Sequence, residues 1–377
     1  MSAALHRAPG GLAVWRERWL NWRNRLVADP GFQRWAAVSP FTRFIAQRRA
    51  KALFDLCAGF VYSQILLACV RLRLFETLAS GPQNLDEIAA RLDLPPEATQ
   101  RLLRAAASLH LLRELPNDRF ALDDLGASML ANPSVAAFVE HHALLYDDLR
   151  DPVALLRGET KTRLSAFWPY AKGRSGDDAA CGAYSDLMAR SQKLIAENVL
   201  DAYPLGRHQC LHDIGGGEGA FVAAVAARHH ALRLQLFDLP PVAARARRLL
   251  ATKGLGRVEV YGGSFLEAPP PGGADIVTLI RVLHDHDDEG ALSALSAAHA
   301  ALPPGGTLLI AEPMAETSGA EAIGDAYFGF YLLAMGSGRP RRQDEITRLI
   351  QAAGFDRIRF LKSPYPLFAS VLTARRL

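Results

Sequence analysis

The sequence predicts an α/β fold: a seven-stranded, mostly parallel sheet ending in an antiparallel hairpin, preceded by a helical region that contains a winged helix. Three observations predict it. From residue 207 onward, short apolar runs alternate with helical stretches, the pattern of a parallel sheet covered on both faces. The last two strand-like runs, "FDRIRFLKS" and "PLFASVLTARR", are too close for a parallel crossover of about a dozen residues, so they must pair antiparallel. Roughly two hundred residues of mainly helical text come before the alternation begins.

A chain of 377 residues has room for two or three domains with proper cores. Composition shifts divide it into 1–50, 51–132, 133–206 and 207–377. Half the residues are apolar and under a quarter are charged, which is a globular composition. Four cysteines, Cys57, Cys69, Cys181 and Cys210, form no CxxC pair, which suits free thiols in a reducing cytoplasm. No signal peptide is visible, because arginines interrupt the first thirty residues. The longest apolar run, Ala58 to Val70, contains Ser63 and Gln64 and stops at Arg71, so the expectation is that nothing spans a bilayer.

Charge is nearly balanced at 43 basic against 39 acidic residues, yet residues 1–51 carry ten Lys/Arg against Glu17 and Asp29. Within that basic stretch Trp15, Trp19, Trp22 and Leu26 recur at helical spacing beside Arg16, Arg18, Arg23 and Arg25. Such a helix suits the headgroup layer of an anionic membrane; the plainer reading packs it on its own domain or on a second subunit.

Residues 51–132 follow as helices with tight turns. "NLDEIAARLDLPPEATQRLLRAAASLHLLREL" reads as a short helix, a turn at Leu94-Pro95-Pro96, a longer helix, and then a ribbon through "ELPNDRFALDDLG". Arg101 and Arg104 beside Glu97, Asp86, Glu87 and Asp93 supply too little net positive charge to track phosphates, so a structural or dimerising winged helix is favoured over a DNA-binding one. Residues 133–206 read as long helices around a loop near "AKGRSGDDAA". Strands follow at "QCLHDI", "LRLQLFD", "VEVYG", "DIVTLIRV" and "GTLLIAE", with helices beginning near Glu218, Val242, Glu289 and Glu321.

The chemistry gathers at the strand ends. In "LHDIGGGEGAF" Asp213 precedes Gly215, Gly217 and Gly219; glycines let backbone approach a ligand, and the helix start offers free N–H groups. Nineteen residues beyond Gly219, Asp238 ends the next strand, where a carboxylate can accept from both hydroxyls of a ribose. Gly215-x-Gly217-x-x-Ala220 also satisfies the looser dinucleotide fingerprint, which leaves NAD open on spacing alone. "LIRVLHDHDDEG" then places His284 just past the fourth strand, at the sheet edge where ligands of open α/β sheets bind. A histidine there can take a proton from an attacking hydroxyl. His284-x-His286-x-Asp288 resembles the start of a binuclear zinc motif but continues with Glu289 where that motif has histidine; no metal is expected. Asp287, Asp288 and Glu289 suit the start of the following helix.

Together Asp213-x-Gly215-x-Gly217-x-Gly219, Asp238, "RVLHDHDDE" and "LPPGGTLLIAEP" resemble the S-adenosylmethionine-dependent small-molecule O-methyltransferases that carry an N-terminal winged-helix dimerisation domain. The likeness covers about residues 55 to 377. The Trp-rich basic opening followed by "ALFDLCAGFVYSQILLACVRLRLFE" is similar, more narrowly, to the bacterial demethylspheroidene (hydroxyneurosporene) O-methyltransferases. The resemblance implies a class I methyltransferase fold in residues 207–377, S-adenosyl-L-methionine as cofactor, and a homodimer. It implies His284 as base with Glu312 as its partner, and Asp213, Gly215, Gly217, Asp238, Ser264, Phe265 and Arg281 around the cofactor. Ser264 stands where relatives use aspartate, and His286 where they usually have tryptophan. A second carboxylate that plant members place near the last helix is absent; Pro340 occupies that position.

Substrate is expected between residues 133–206 and the sheet edge. Tyr146, Met188, Tyr327, Phe330, Tyr331 and Met335 are the candidates, the later four from "DAYFGFYLLAMGSG", where aromatic and methionine side chains suit an apolar slot. The expected activity is O-methylation of a hydrophobic molecule, most of all an acyclic hydroxycarotenoid. Polyketide or phenolic O-methylation is the alternative within the class; an NAD-dependent oxidoreductase and a winged-helix regulator are the alternatives outside it. The expected location is the cytoplasm, with peripheral contact to the inner membrane as the reading the N-terminal helix adds.

Overall fold

Helix-forming residues run almost unbroken from Gly11 to Arg71, stopped and restarted at Asp29-Pro30 and Ser39-Pro40. Asp29 caps the helix Pro30–Val38 by accepting the Phe32 N–H at 2.7 Å, and Pro30 sits where its missing N–H costs nothing. The computed structural model describes residues 11–167, 192, 194–366 and 369–377. Two compact units are formed, Met1–Asp123 and Asp124–Leu377.

In the first unit the helix Arg43–Arg71 is 29 residues long. Contrary to the expectation from unbroken apolar runs, it has the length and composition to cross a bilayer, because its polar residues are thinly spread rather than absent. Among the described residues, Trp15 and Trp22 are left 66% and 60% exposed, and the Arg23 guanidinium lies 5.4 Å from the centre of the Trp19 ring. The winged helix follows as read. Asn84 and Glu87 form a reciprocal capping box on the helix Leu85–Leu92, Asp93 ends it in the left-handed region, and Pro95-Pro96 start the helix Pro96–Ser108. Strands β1 (Gln83–Asn84), β2 (Leu112–Leu115) and β3 (Arg119–Leu122) pair antiparallel in the order β1-β3-β2. Ile88, Leu103, Leu112 and Phe120 are buried in this unit.

The second unit holds the sheet. Strands β4 (Cys210–Ile214), β5 (Arg233–Asp238), β6 (Glu259–Gly262), β7 (Ile276–Ile280), β8 (Thr307–Glu312), β9 (Phe355–Leu361) and β10 (Ser370–Arg376) lie in the order β6-β5-β4-β7-β8-β10-β9. The first five are parallel, and β10 runs antiparallel between β8 and β9. Every residue of β4, β7 and β8 is buried, which is why these strands read as continuous apolar runs rather than alternations. Chain order reverses between β4 and β7, so the carboxyl ends of β4, β5, β7 and β8 open one crevice carrying Asp213, Asp238, the turn after Ile280, and Glu312. A further apolar cluster joins the helix Pro133–Asp148 to the segment Ala322–Met335, whose first turns, Ala322–Phe328, are a π-helix. Met188, Cys181 and the "AKGRSGDDAA" loop lie outside the described residues.

Candidate active site

At the end of β4 the chain turns back beneath β5. Gly215 donates its N–H to the Phe237 carbonyl at 2.8 Å, and the Gly217 N–H reaches the Asp238 Oδ2 at 2.7 Å. The Leu239 N–H holds the other Asp238 oxygen, also at 2.7 Å. Gly216, which spacing alone did not single out, is as tightly enclosed as Gly215. A Cβ there would lie 2.7 Å from Asp213 Oδ2 and 2.9 Å from Leu236 Cγ. Gly217, by contrast, has φ +56° and open space where a side chain would stand, as expected of backbone that faces a ligand.

Two carboxylates flank this turn, Asp213 buried and Asp238 half-buried. Asp213 accepts a 2.6 Å bond from the Thr278 hydroxyl, and its Oδ2 has no hydrogen-bond partner among the described residues. Burial pushes its carboxyl up to about 7, against the Thr278 bond and with a further push from Asp238. Burial likewise raises Asp238 to about 6, although two backbone N–H groups favour its charged form. Both groups bind protons more tightly folded than unfolded, so folding takes up protons and stability falls as pH rises from about 4 through about 6 and 7. Asp238→Asn removes one of these titrations. In urea melts of the ligand-free protein, the variant is expected to lose roughly 1–3 kcal/mol less than wild type between pH 5 and pH 8. Equal losses would contradict the assignment.

After β7 the backbone breaks into a 3-10 turn, Leu283–Asp285. It is pinned from β8 by Glu312, whose Oε1 accepts the Val282 and Leu283 N–H groups at 2.8 and 2.7 Å. The other oxygen, Oε2, accepts the His284 Nδ1–H at 2.6 Å. An ionised carboxylate only accepts, so this contact puts the proton on Nδ1 and leaves the lone pair on Nε2. Asp285 Oδ1 lies 3.2 Å from Nε2, and burial pushes the Asp285 carboxyl up. When Nε2 gains a proton, each ring nitrogen therefore has a carboxylate partner.

The turn is held from behind by Ser337 to Arg341, a segment that sequence reasoning considered only for the carboxylate it lacks. Arg341, 3% exposed, donates to the carbonyls of Leu283 and His286 at 2.6 and 2.8 Å and to Asp288 at 2.9 Å. The Ser337 hydroxyl donates to the Asp285 carbonyl at 2.8 Å and the Arg339 N–H to that of His284 at 2.9 Å. Gly338 passes so close, at φ +81°, that a Cβ would fall 2.0 Å from the His284 carbonyl oxygen. The acidic run is thereby accounted for. Asp287 caps the helix Asp288–Ala301 through the Gly290 N–H, and Asp288 pairs with Arg339 and Arg341. His286 turns its ring to Phe265, 5.3 Å away edge-on, while the Ser264 hydroxyl accepts the Leu266 N–H at 3.3 Å. No group of three or more His, Cys, Asp and Glu among the described residues is arranged to hold a metal ion.

On the other side of His284 stands an aromatic wall. Phe328 meets the imidazole edge-on at 6.0 Å and carries the Arg281 guanidinium at 6.0 Å from its ring centre. Tyr327 packs on Phe328 at 5.1 Å and stacks on Tyr331 at 5.8 Å. Met335 is buried in the same cluster, and Tyr146 is half-buried on the helix Pro133–Asp148. Phe330 is not brought to the wall: it is 36% exposed, and Phe328, two residues earlier, takes the place next to His284. Helical phase explains this, since residues two apart lie on nearly opposite faces.

Residues 146–356 match the model of the O-methyltransferase domain, and residues 54–132 that of the O-methyltransferase dimerisation domain. Over its full length the chain is 43% identical to a demethylspheroidene O-methyltransferase from Cereibacter sphaeroides, 99% of which is covered. It is 40% identical to a demethylspheroidene O-methyltransferase from Rhodobacter capsulatus, over 89% of this chain and 85% of that one. Among solved structures it is similar to CalO1, a methyltransferase in calicheamicin biosynthesis in its SAH-bound form, with TM-score 0.74 and 26% identity over 88% of this chain and 99% of the other. With a crevice at the strand ends, a glycine turn between two carboxylates and a histidine held by glutamate, the chain belongs to the O-methyltransferase family and carries that family's dimerisation domain ahead of its transferase domain.

Proposed function

We propose that the chain, as a homodimer, transfers the methyl group of S-adenosylmethionine to a hydroxyl of an acyclic hydroxycarotenoid of the demethylspheroidene type. The observation that carries this reading is the 2.6 Å contact of His284 Nδ1 with Glu312, which leaves Nε2 as the acceptor beside the crevice. The names of the two bacterial relatives supply the acceptor class.

The residues present fit the cofactor. Each Asp238 oxygen accepts one backbone N–H and keeps a lone pair for a ribose hydroxyl. Asp213, buried, and Asp238, half-buried, put two carboxylates beside the turn, a setting that favours a cation. Phe265, with His286 against it, offers an apolar face for adenine, and Ser264 an uncharged hydroxyl. Bound there, the cofactor supplies an electrophilic methyl on a positively charged sulfur. The chain's own part is to hold the acceptor hydroxyl at His284 and to take its proton on Nε2 as the oxygen attacks, with Glu312 and Asp285 stabilising the imidazolium. Arg281 and the aromatic wall flank the acceptor side.

Labelled methyl from S-adenosylmethionine should enter hydroxycarotenoids extracted from accumulating cells in preference to a panel of phenols and hydroxylated polyketides. Equal or greater labelling of the phenols would replace the carotenoid reading with the phenolic one. The nicotinamide and DNA-binding alternatives are set aside by the match of both domains to O-methyltransferase models.

A second element of the proposal is peripheral contact with an anionic membrane through the N-terminal helices, from which a lipid-dissolved acceptor would be collected. What favours it is exposed Trp15, Trp22 and Trp35 in a stretch of ten Lys/Arg and two acidic residues. Deleting residues 1–42 should abolish co-sedimentation with phosphatidylserine-containing vesicles at low salt. Co-sedimentation unchanged by the deletion would remove this element.

A further inference from the structure

Two adjacent histidines on the helix Pro133–Asp148 enter no step above. His141 Nε2 lies 2.8 Å from the Tyr331 hydroxyl and His142 Nε2 lies 2.9 Å from the Tyr327 hydroxyl, each across some 190 residues of chain. The pairs are parallel, since the tyrosine rings stack 23° apart and sit at i and i+4. Phe138 closes the far end, 4.5 Å from the His142 ring and 5.6 Å from Tyr327. A continuous line of rings thus runs from His284 through Phe328 and Tyr327 to His142 and Phe138.

The direction of these bonds follows from acidity. Burial pushes His141 down to about 4, with His142 adding to it, and pushes His142 down as well, so both imidazoles are neutral near pH 7. Burial raises both tyrosines, which keep their protons. A phenol O–H is a stronger donor than a neutral imidazole N–H, and an imidazole nitrogen is a good acceptor. Each tyrosine accordingly spends its single proton on a histidine. What remains for the acceptor molecule is ring faces without a free hydroxyl proton.

We propose that His141 and His142 are specificity-determining positioning residues: by accepting the Tyr331 and Tyr327 hydroxyl protons they hold two phenol rings, joined to His284 through Phe328, as an apolar wall that offers no hydroxyl donor, selecting an acceptor that carries one hydroxyl on an otherwise apolar body. A polyene alcohol gains ring contact along such a wall and needs no donor from it. A polyhydroxylated aromatic loses hydration there and finds no donor in return from the two tyrosines. The inference deepens the reading of the acceptor given above and rests on methyl transfer at His284.

The test compares His142→Ala, His142→Gln, Tyr327→Phe and the double variant His142→Ala/Tyr327→Phe with wild type, on a hydroxycarotenoid and on a phenol. Loss of the acceptor frees the Tyr327 hydroxyl in a partly buried site, so His142→Ala should raise KM for the carotenoid about tenfold with kcat changed less than about threefold. It should narrow the preference over phenol by a similar factor. Glutamine retains an acceptor at nearly the same reach and should restore KM. In the double variant the orphaned hydroxyl is gone, and KM should recover most of the way. Recovery distinguishes proton capture from mere packing, because Tyr327→Phe removes only the orphaned hydroxyl and refills none of the space the imidazole leaves. Preserved thermal protection by S-adenosylhomocysteine identifies folded variants, and His141→Gln with Tyr331→Phe repeats the comparison at the more buried pair. Unchanged KM and preference in His142→Ala, or a double variant no better than the single, overturns the proposal. If wild type methylates neither compound, the acceptor reading itself fails.

Discussion

His284→Ala is expected to lower kcat by about 10²–10⁴-fold, the usual contribution of a positioned general base, while S-adenosylhomocysteine binding stays within a few-fold of wild type. The two effects should separate because the ribose and glycine-turn contacts proposed for the cofactor lie at the ends of β4 and β5, whereas His284 stands after β7 and turns its Nδ1 to β8. The variant leaves Glu312 Oε2 without its partner, yet Oε1 keeps both backbone N–H groups, so the turn has reason to stay in place. Isothermal titration with the product cofactor and a single-turnover methylation assay read the two effects apart. A variant that keeps more than about a tenth of wild-type kcat would show that the acceptor reaches the reaction already ionised or gives its proton elsewhere.

Glu312→Gln should cost nearly as much for a different reason. The volume is conserved, and the amide oxygen can still accept from Val282 and Leu283. The amide NH₂ then faces His284 Nδ1, now 2.6 Å from a carboxylate oxygen. Nδ1 must become the acceptor, the proton moves to Nε2, and the ring presents a donor where the reaction needs a lone pair. A fall in kcat of about 10³–10⁴-fold is expected, with little change in thermal midpoint. If kcat fell less than threefold, the tautomer would not be set by Glu312. Asp285, 3.2 Å from Nε2, would then be the carboxylate to test.

Much of this site was legible in the residues. A polar residue ending an apolar strand run marks the carboxyl edge of a parallel sheet, and Asp213, Asp238, His284 and Glu312 could all be placed there because strand period and run length are local. The glycine turn was readable for the same reason, with the exception of Gly216, whose backbone is ordinary and whose need for a bare Cα comes from Asp213 and Leu236 pressing on it.

Other features depend on which segments meet. Arg341 clamps the turn from 58 residues downstream, and no local pattern ties "RPRR" to "HDHDDE" beyond their opposite charges. Phe328 rather than Phe330 stands beside His284, since the π-helix over Ala322–Phe328 sets the phase with which the following helix presents its side chains. His141 and His142 carried no signal, because their chemistry exists only once Tyr331 and Tyr327 arrive. Periodicity, capping and turn chemistry act over a few residues and so specified the strands, the winged helix and the ends where chemistry collects. Hydrogen-bond partners of buried groups are chosen by desolvation across the closed chain, and that choice is made only when distant segments exclude water together.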